Sequence, residues 1–314
     1  MDIINKTLSE VTKDEFVEII MDKLTDYLPK EYQQFKPHIY PVKKVNGIKY
    51  GITLITAGQD VTGDYTVSPT AYIEDIYAEW TEKSIGTVLK NVAEILTQRI
   101  GISRAALNLN NAKENIILEV VNTEANLELL KKIPHKPFLD LSIIFRWVLD
   151  ETMRASIVIT YELAEKMGLD AISLYDIAKS NTKRLMTPNV LPMRTVVAKI
   201  LNVSEEEVKD VDAGMWFVGN EKKIYGASSI LYQDMLQELA EEKESDLFII
   251  PSSIHELLVL LEADGHTADF ISDMVNEVNM TQVEPEERLS NSVYFFSRET
   301  GKVSIAKSSA VSIV

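Results

Sequence analysis

The segment Ile250-Pro251-Ser252-Ser253-Ile254-His255-Glu256 gathers two hydroxyls, an imidazole and a carboxylate within a few residues. In a nucleophilic reading Ser252 or Ser253 attacks, His255 takes its proton and Glu256 orients the ring. Two features of the spacing oppose this. Neighbours at i and i+1 on a helix point about 100° apart, so Glu256 is poorly placed to hold His255. Ser253-Ile254-His255-Glu256 also reads as a capping box, which uses the serine oxygen and the glutamate on backbone amides. His255 is the one residue that capping leaves unexplained. The His-Glu pair begins like a zinc-protease helix, but the second histidine belongs four residues on, where Val259 stands.

A second cluster is Gly219-Asn220 followed by Tyr225-Gly226-Ala227-Ser228-Ser229. Small residues between a hairpin and a helix permit close backbone approach, more often to another segment of the same chain than to a ligand. If the strands expected at 215–218, 224–227 and 247–250 share a sheet, Ser228 and Ser253 lie at one edge and two helix N-termini converge near His255. Such a corner suits a small anion or a partner's carboxylate. Asn220, Tyr225, Gly226, Ser228, Ser229 and Asn279 are therefore the candidate ligand- or partner-binding residues, beside Ser252, Ser253, His255 and Glu256 as catalytic candidates. The other histidines, His38, His135 and His266, do not combine with His255; an expected helix of about ten residues separates His255 from His266 by roughly 15 Å. No metal and no cofactor are expected. Phosphate-binding loops, dinucleotide fingerprints, nucleophile elbows and kinase signatures are absent from the sequence.

The elements that position these residues are legible to different degrees. Thr12-Lys13-Asp14-Glu15 is a capping box, and Phe16, Ile19, Ile20 and Leu24 follow at helical spacing up to Pro29. Strands at 38–44 and 48–56 flank Asn46-Gly47, a strong hairpin signal. Ser68-Pro69-Thr70 opens a segment of open type at 71–79, and a helix runs from Ser84 to about Thr97. Ile116 to Val121 reads as a strand, as do 141–149 and 155–160, which look paired. Two short helices follow, one ending at Gly168 and one from about Ser173 to Lys183. Further on, 215–218 and 224–227 read as a hairpin, and Ser228/Ser229 as the cap of a helix bearing Ile230 to Leu239. Leu247 to Ile250 reads as a buried strand running into a helix after Pro251. Thr267 to Asn279 is amphipathic, and 293–296 with 302–306 forms a closing hairpin. Helices and antiparallel hairpins without βαβ alternation predict an α+β fold, mixed antiparallel sheets with packed helices in two subdomains, 1–135 and 136–314.

Composition sets the outer bounds. The chain of 314 residues is 46% hydrophobic, has 48 Asp+Glu against 32 Lys+Arg for a net charge of -16, and has no Cys. Disorder, disulfide frameworks and thiolate chemistry are excluded. The charge argues against broad nucleic-acid binding, and direct contact with nucleic acid is not expected. Trp80, Trp147, Trp216 and the 12 Tyr do not interleave with basic residues along the chain and are assigned to core or interface. No apolar run approaches the ~18 residues of a membrane span. Because the N-terminus lacks the layout of a signal peptide, a cytoplasmic location is expected. Residues 146–314 hold 28 acidic against 16 basic residues, so the acid is concentrated in the C-terminal half.

The run Asn220-x5-Gly226-Ala227, Leu231-Tyr232, Asp246-Leu247-x3-Pro251-Ser252-Ser253-Ile254-His255-Glu256 resembles a family of uncharacterised Firmicutes proteins. Met274-Val275-x3-Val278-Asn279, Leu289-Ser290-x2-Val293-Tyr294, Val121-Asn122-x3-Asn126, Phe138-Leu139-Asp140-Leu141 and Ala178-x2-Asn181-Thr182 extend the resemblance over most of the chain. It implies a domain of unknown function, with no activity, cofactor or site residue to transfer. Members resemble genes found near mobile elements, which implies an accessory role. The expectation is a cytoplasmic interaction or regulatory factor whose acidic surface meets a basic protein partner. A small hydrolase or ligand-binding enzyme at the Ser252/Ser253/His255 corner is the alternative.

Overall fold

Thr12 caps the first helix as its sequence predicts: its hydroxyl accepts the Glu15 amide at 3.2 Å while the Glu15 carboxylate accepts the Thr12 amide at 2.9 Å. The computed structural model describes residues 3–56, 69–98, 109–150, 155–211, 214–251 and 253–307. The chain divides into two compact units, Met1–Ser103 and Arg104–Val314. The expected boundary at 135/136 would cut through a sheet, because strands on both sides of it pair with one another.

In unit 1, helix α1 (Lys13–Tyr27) precedes strands β1 (Phe35–Lys44) and β2 (Gly47–Thr56). They pair antiparallel about Asn46, which takes the positive φ of 62° that the Asn-Gly turn demands. β3 (Ala71–Tyr72) adds to β2, and helices α2 (Ile73–Trp80) and α3 (Ile85–Thr97) follow. The segment 71–79, open in type from sequence, is thus a short strand running into a helix. Phe16, Ile20 and Leu24 of α1 and Val88, Leu89, Val92 and Leu96 of α3 form one buried cluster with Ile52 of β2.

In unit 2, α4 (Leu109–Ala112) leads to β4 (Ile116–Asn122), α5 (Leu127–Leu130), β5 (His135–Phe138), β6 (Leu141–Val148) and β7 (Ser156–Val158). β6 pairs with all three other strands of this antiparallel sheet. After α6 (Tyr161–Lys166), helix α7 (Ala171–Leu185) covers the edge of β4. There the Thr182 hydroxyl accepts the Leu118 amide at 2.8 Å, and the Asn181 side chain donates to the Ile116 carbonyl at 3.1 Å. A strand edge buried under a helix needs such partners for its backbone groups.

The remaining elements are β8 (Pro188–Pro192), α8 (Met193–Leu201), β9 (Met215–Asn220), α9 (Gln233–Glu242), β10 (Leu247–Ile250), β11 (Leu257–Leu261), α10 (Ala268–Thr281), β12 (Tyr294–Ser297) and β13 (Lys302–Ile305). Six strands form an antiparallel sheet in the order β13-β12-β10-β11-β9-β8. Phe248, Ile250 and Leu260 on one face bury with Ala268, Ile271 and Val275 of α10. All three sheets of the described residues are antiparallel, an α+β architecture.

Two expectations around the site are corrected. No helix follows Pro251; residues 257–261 form β11, which turns back on β10 with Ile250 opposite Leu258. The run Leu257-Leu258-Val259-Leu260-Leu261 is apolar at every position, and a five-residue apolar run between a turn and Gly265 suits a buried strand as well as a helix. Likewise 224–227 is not a strand. Tyr225 takes φ 52°, and Gly226–Leu231 forms a wholly buried 3-10 helix, so Ser228 and Ser229 lie inside it rather than at an α-helix cap.

Candidate functional site

The candidate corner is a six-residue connection, 251–256, between β10 and β11. Ser253 closes it by accepting the His255 amide on its hydroxyl at 3.0 Å. The Glu256 carboxylate completes no capping box, since there is no helix to cap. Segment 287–290 runs along the connection: the Ile254 amide donates to the Glu287 carbonyl at 2.9 Å, the Ser290 amide to the Pro251 carbonyl at 2.9 Å, and Ser253 pairs with Arg288 as an antiparallel bridge. Ser252 lies outside the described residues.

The opposite wall is Tyr225 to Ser229, and it comes close. A Cβ at Gly226 would sit 2.2 Å from the His255 carbonyl oxygen, so only glycine fits. The Ala227 amide donates to the Ile254 carbonyl at 3.3 Å, and the Tyr225 amide to His255 Nδ1 at 3.3 Å. The Tyr225 and His255 rings stack with centroids 6.2 Å apart. Ser228 donates to the Tyr225 carbonyl and Ser229 to the Gly219 carbonyl, each at 2.8 Å, and the Asn220 amide group donates to the Ile224 carbonyl at 2.9 Å. The small residues thus serve an approach of the chain to itself.

Nδ1 accepts from Tyr225, which leaves Nε2 as the ring donor, facing the Glu287 carboxylate at 3.6 Å. Glu287 therefore occupies the place that the sequence reading gave to Glu256. Next to Tyr225, the Arg146 guanidinium lies 4.7 Å from the ring centroid, donates to Ser156 Oγ at 3.2 Å and pairs with Glu119. Glu119 is wholly buried in β4. Burial pulls against the Arg146 charge, but the Glu119 carboxylate overcomes it and holds the guanidinium above its ordinary range. Burial likewise raises the Tyr225 phenol, against the lowering effect of Arg146.

Asn279 does not join these rings. It projects from α10 to donate to the Ser290 carbonyl at 2.9 Å and to Asn291 Oδ1 at 2.7 Å, steadying the segment that flanks the corner. Asp140 accepts from the Ser290 hydroxyl at 2.6 Å and the Tyr294 hydroxyl at 2.5 Å, and Asn122 donates to the Leu289 carbonyl at 2.9 Å. Burial first, then the hydrogen bond and charge of Asp140, push the Tyr294 phenol far above its ordinary value. The motif residues Asn122, Asp140, Asn279, Ser290 and Tyr294 thus form one hydrogen-bonded framework, tied to the corner through Pro251.

Chemically, the arrangement holds more than it offers. Ser228 and Ser229 donate to carbonyls, Ser253 serves a backbone amide, and both ring nitrogens of His255 face partners other than serine. Among the described residues no group of three or more His, Asp or Glu is placed to hold a metal ion. Sequence reasoning missed Glu119, Arg146 and Glu287 as neighbours of the corner. The first two carried a signal: each is the single charge in an otherwise apolar strand, Ile116-Ile117-Leu118-Glu119-Val120-Val121 and Ile143-Ile144-Phe145-Arg146-Trp147.

The chain belongs to a family of unknown function, DUF5688, whose profile matches residues 13–298. No curated protein and no solved structure matches it.

Proposed function

We propose that this protein is an intracellular interaction factor, regulatory rather than catalytic, whose acidic surface on unit 2 receives a basic protein partner. The observation that carries this reading is the outward side of α10. Its inner side, Ala268, Ile271, Val275 and Asn279, is buried. Outward stand Phe270, 61% exposed, and Met280, 77% exposed, among Asp269, Asp273 and Glu277. Solubility needs only the carboxylates. Large apolar side chains left in water among them fit an interface with apolar anchors and a charged rim. From Asp234 to Glu287 the chain holds fifteen acidic residues and a single basic one, Lys243, so the partner that complements this surface is basic.

The alternative, a small hydrolase or ligand-binding enzyme at the Ser252/Ser253/His255 corner, has less support. A serine nucleophile needs an imidazole nitrogen on its hydroxyl, and those nitrogens of His255 face Tyr225 and Glu287.

Quantitative affinity capture from host lysate tests the proposal. A partner enriched by wild type should be lost with Phe270→Ser and with the combined Asp269→Lys, Asp273→Lys and Glu277→Lys variant, and kept with His255→Gln. Loss with His255→Gln alone would move the site to the corner and overturn the reading.

A further inference from the structure

The chain's net charge hides one basic region. Between Glu31 and Asp60 there is no acidic residue, while Lys36, Lys43, Lys44 and Lys49 fall within the β1–β2 hairpin. Read along the chain, Lys36, His38, Tyr40 and Lys44 do not look like a pattern. On a strand, residues at even spacing share one face. The core takes the odd side, where Ile39, Ile52 and Leu54 join the buried cluster of unit 1. Lys36, His38, Tyr40, Val42 and Lys44 therefore line the other side, with Lys49 opposite Val42 and Tyr72 of β3 opposite Gly51.

The side chains make a row of rings bounded by ammonium groups. The His38 and Tyr40 rings lie nearly parallel, 15° apart with centroids at 5.9 Å. The Tyr40 hydroxyl meets Thr70 Oγ1 at 3.5 Å, and Lys44 Nζ stands 4.3 Å from the Tyr72 ring centroid. Lys36 and His38 are exposed, and Tyr40, Lys44 and Tyr72 are half-buried. Asp75 pairs with Lys49 at 2.5 Å, and the Glu74 carboxylate accepts the Tyr50 amide at 2.9 Å, so the cations left for a partner lie toward Lys36 and Lys44. At ~3.3 Å per residue these two are roughly 26 Å apart.

We propose that this face of the β1–β3 sheet binds single-stranded nucleic acid, with His38 and Tyr40 stacking on bases and Lys36 and Lys44 pairing with phosphates. Aromatic rings on a sheet face flanked by lysines are what unstacked bases and a charged backbone require together. An acidic peptide would use the lysines but leave the rings without a role. The face is local, so it is compatible with an acidic chain that lacks the broad cationic surface of a duplex binder. It is independent of the α10 surface on unit 2.

The test is fluorescence anisotropy with the full chain and labelled single-stranded DNA and RNA of about 12 nucleotides. Binding should weaken with salt at a log–log slope of about -1.4, the value for roughly two phosphates on a single strand. Tyr40→Ala should weaken it roughly tenfold, the effect of one lost stack. Lys36→Glu, an exposed substitution with no bearing on folding, should weaken it and flatten the slope, and Lys183→Glu in unit 2 should change nothing. The proposal is overturned by no binding at about 50 mM salt, by equal binding to duplex that Tyr40→Ala leaves unaltered, or by polyglutamate or anionic vesicles binding as tightly as the oligonucleotide.

Discussion

The corner at 251–256 and the outer face of β1–β3 make opposite use of similar residues. Both place a histidine beside a tyrosine, with rings about 6 Å apart and a basic residue against a tyrosine ring. At the corner the described groups are answered from within the fold: Tyr225 by Arg146, His255 by Tyr225 and Glu287, Ser228 and Ser229 by carbonyls and Ser253 by an amide. On the β1–β3 face His38 and Lys36 point into water. Residue type alone does not mark a site. What matters is whether the polar atoms and ring faces are already committed.

That contrast predicts a graded set of responses. The largest is at the ion pair next to Tyr225. Glu119→Ala would leave Arg146 buried without its carboxylate and cost about 3–5 kcal/mol by denaturant unfolding, whereas the double change Glu119→Met with Arg146→Met should recover most of it. Gly226→Ala comes next, at about 3 kcal/mol, because the new methyl meets the backbone carbonyl of His255 and neither side can yield cheaply. A Gly226→Ala protein with wild-type stability would show the corner to be loose.

Tyr294→Phe should cost about 1–2 kcal/mol near neutral pH, since Asp140 loses a buried donor. Its pH dependence has a definite sign. A phenol whose folded pKa is raised contributes fully below the unfolded value, near 10, and its contribution is lost as pH rises beyond it. Tyr232, pushed up to about 12 mainly by burial, acts in the same direction. Wild-type stability should therefore fall on the alkaline side from about pH 10, and Tyr294→Phe should fall less steeply there. His255→Gln should cost less than about 1 kcal/mol, as it keeps an acceptor and a donor on one side chain. The smallest effect is on the other region: Lys36→Glu should leave the unfolding midpoint unchanged, because that side chain is exposed.

Much of the fold was legible because its signals are local. Thr12 with Glu15, Asn46-Gly47 and the apolar spacing of 85–96 each specify an element without help from elsewhere, and each is found as expected. The failures share one cause. Leu257 to Leu261 has no periodicity, and only its place between β10 and β9 makes it a strand. Gly219 to Ser229 looked like a hairpin and a cap; the αL turn at Tyr225 and the tight contact of Gly226 with His255 are decided by a partner 30 residues away. The 135/136 boundary rested on Pro134 and Pro137, yet Pro137 lies in β5, opposite Ser142. For the site, residue identities drew attention to His255 and Tyr225 correctly as neighbours, while Glu287, Arg146 and Glu119 reach them only through tertiary structure. The basic hairpin is invisible in the net charge, because acidic residues elsewhere in the chain outweigh its four lysines.

The reactivity of the corner's serines separates a structural joint at 251–256 from a serine active site. Labelling the full protein with a fluorophosphonate and locating adducts by peptide mass spectrometry tests this most directly. A structural joint gives no adduct on Ser252, Ser253, Ser228 or Ser229. An adduct on any of them that disappears in His255→Ala, with the fold intact, would contradict it.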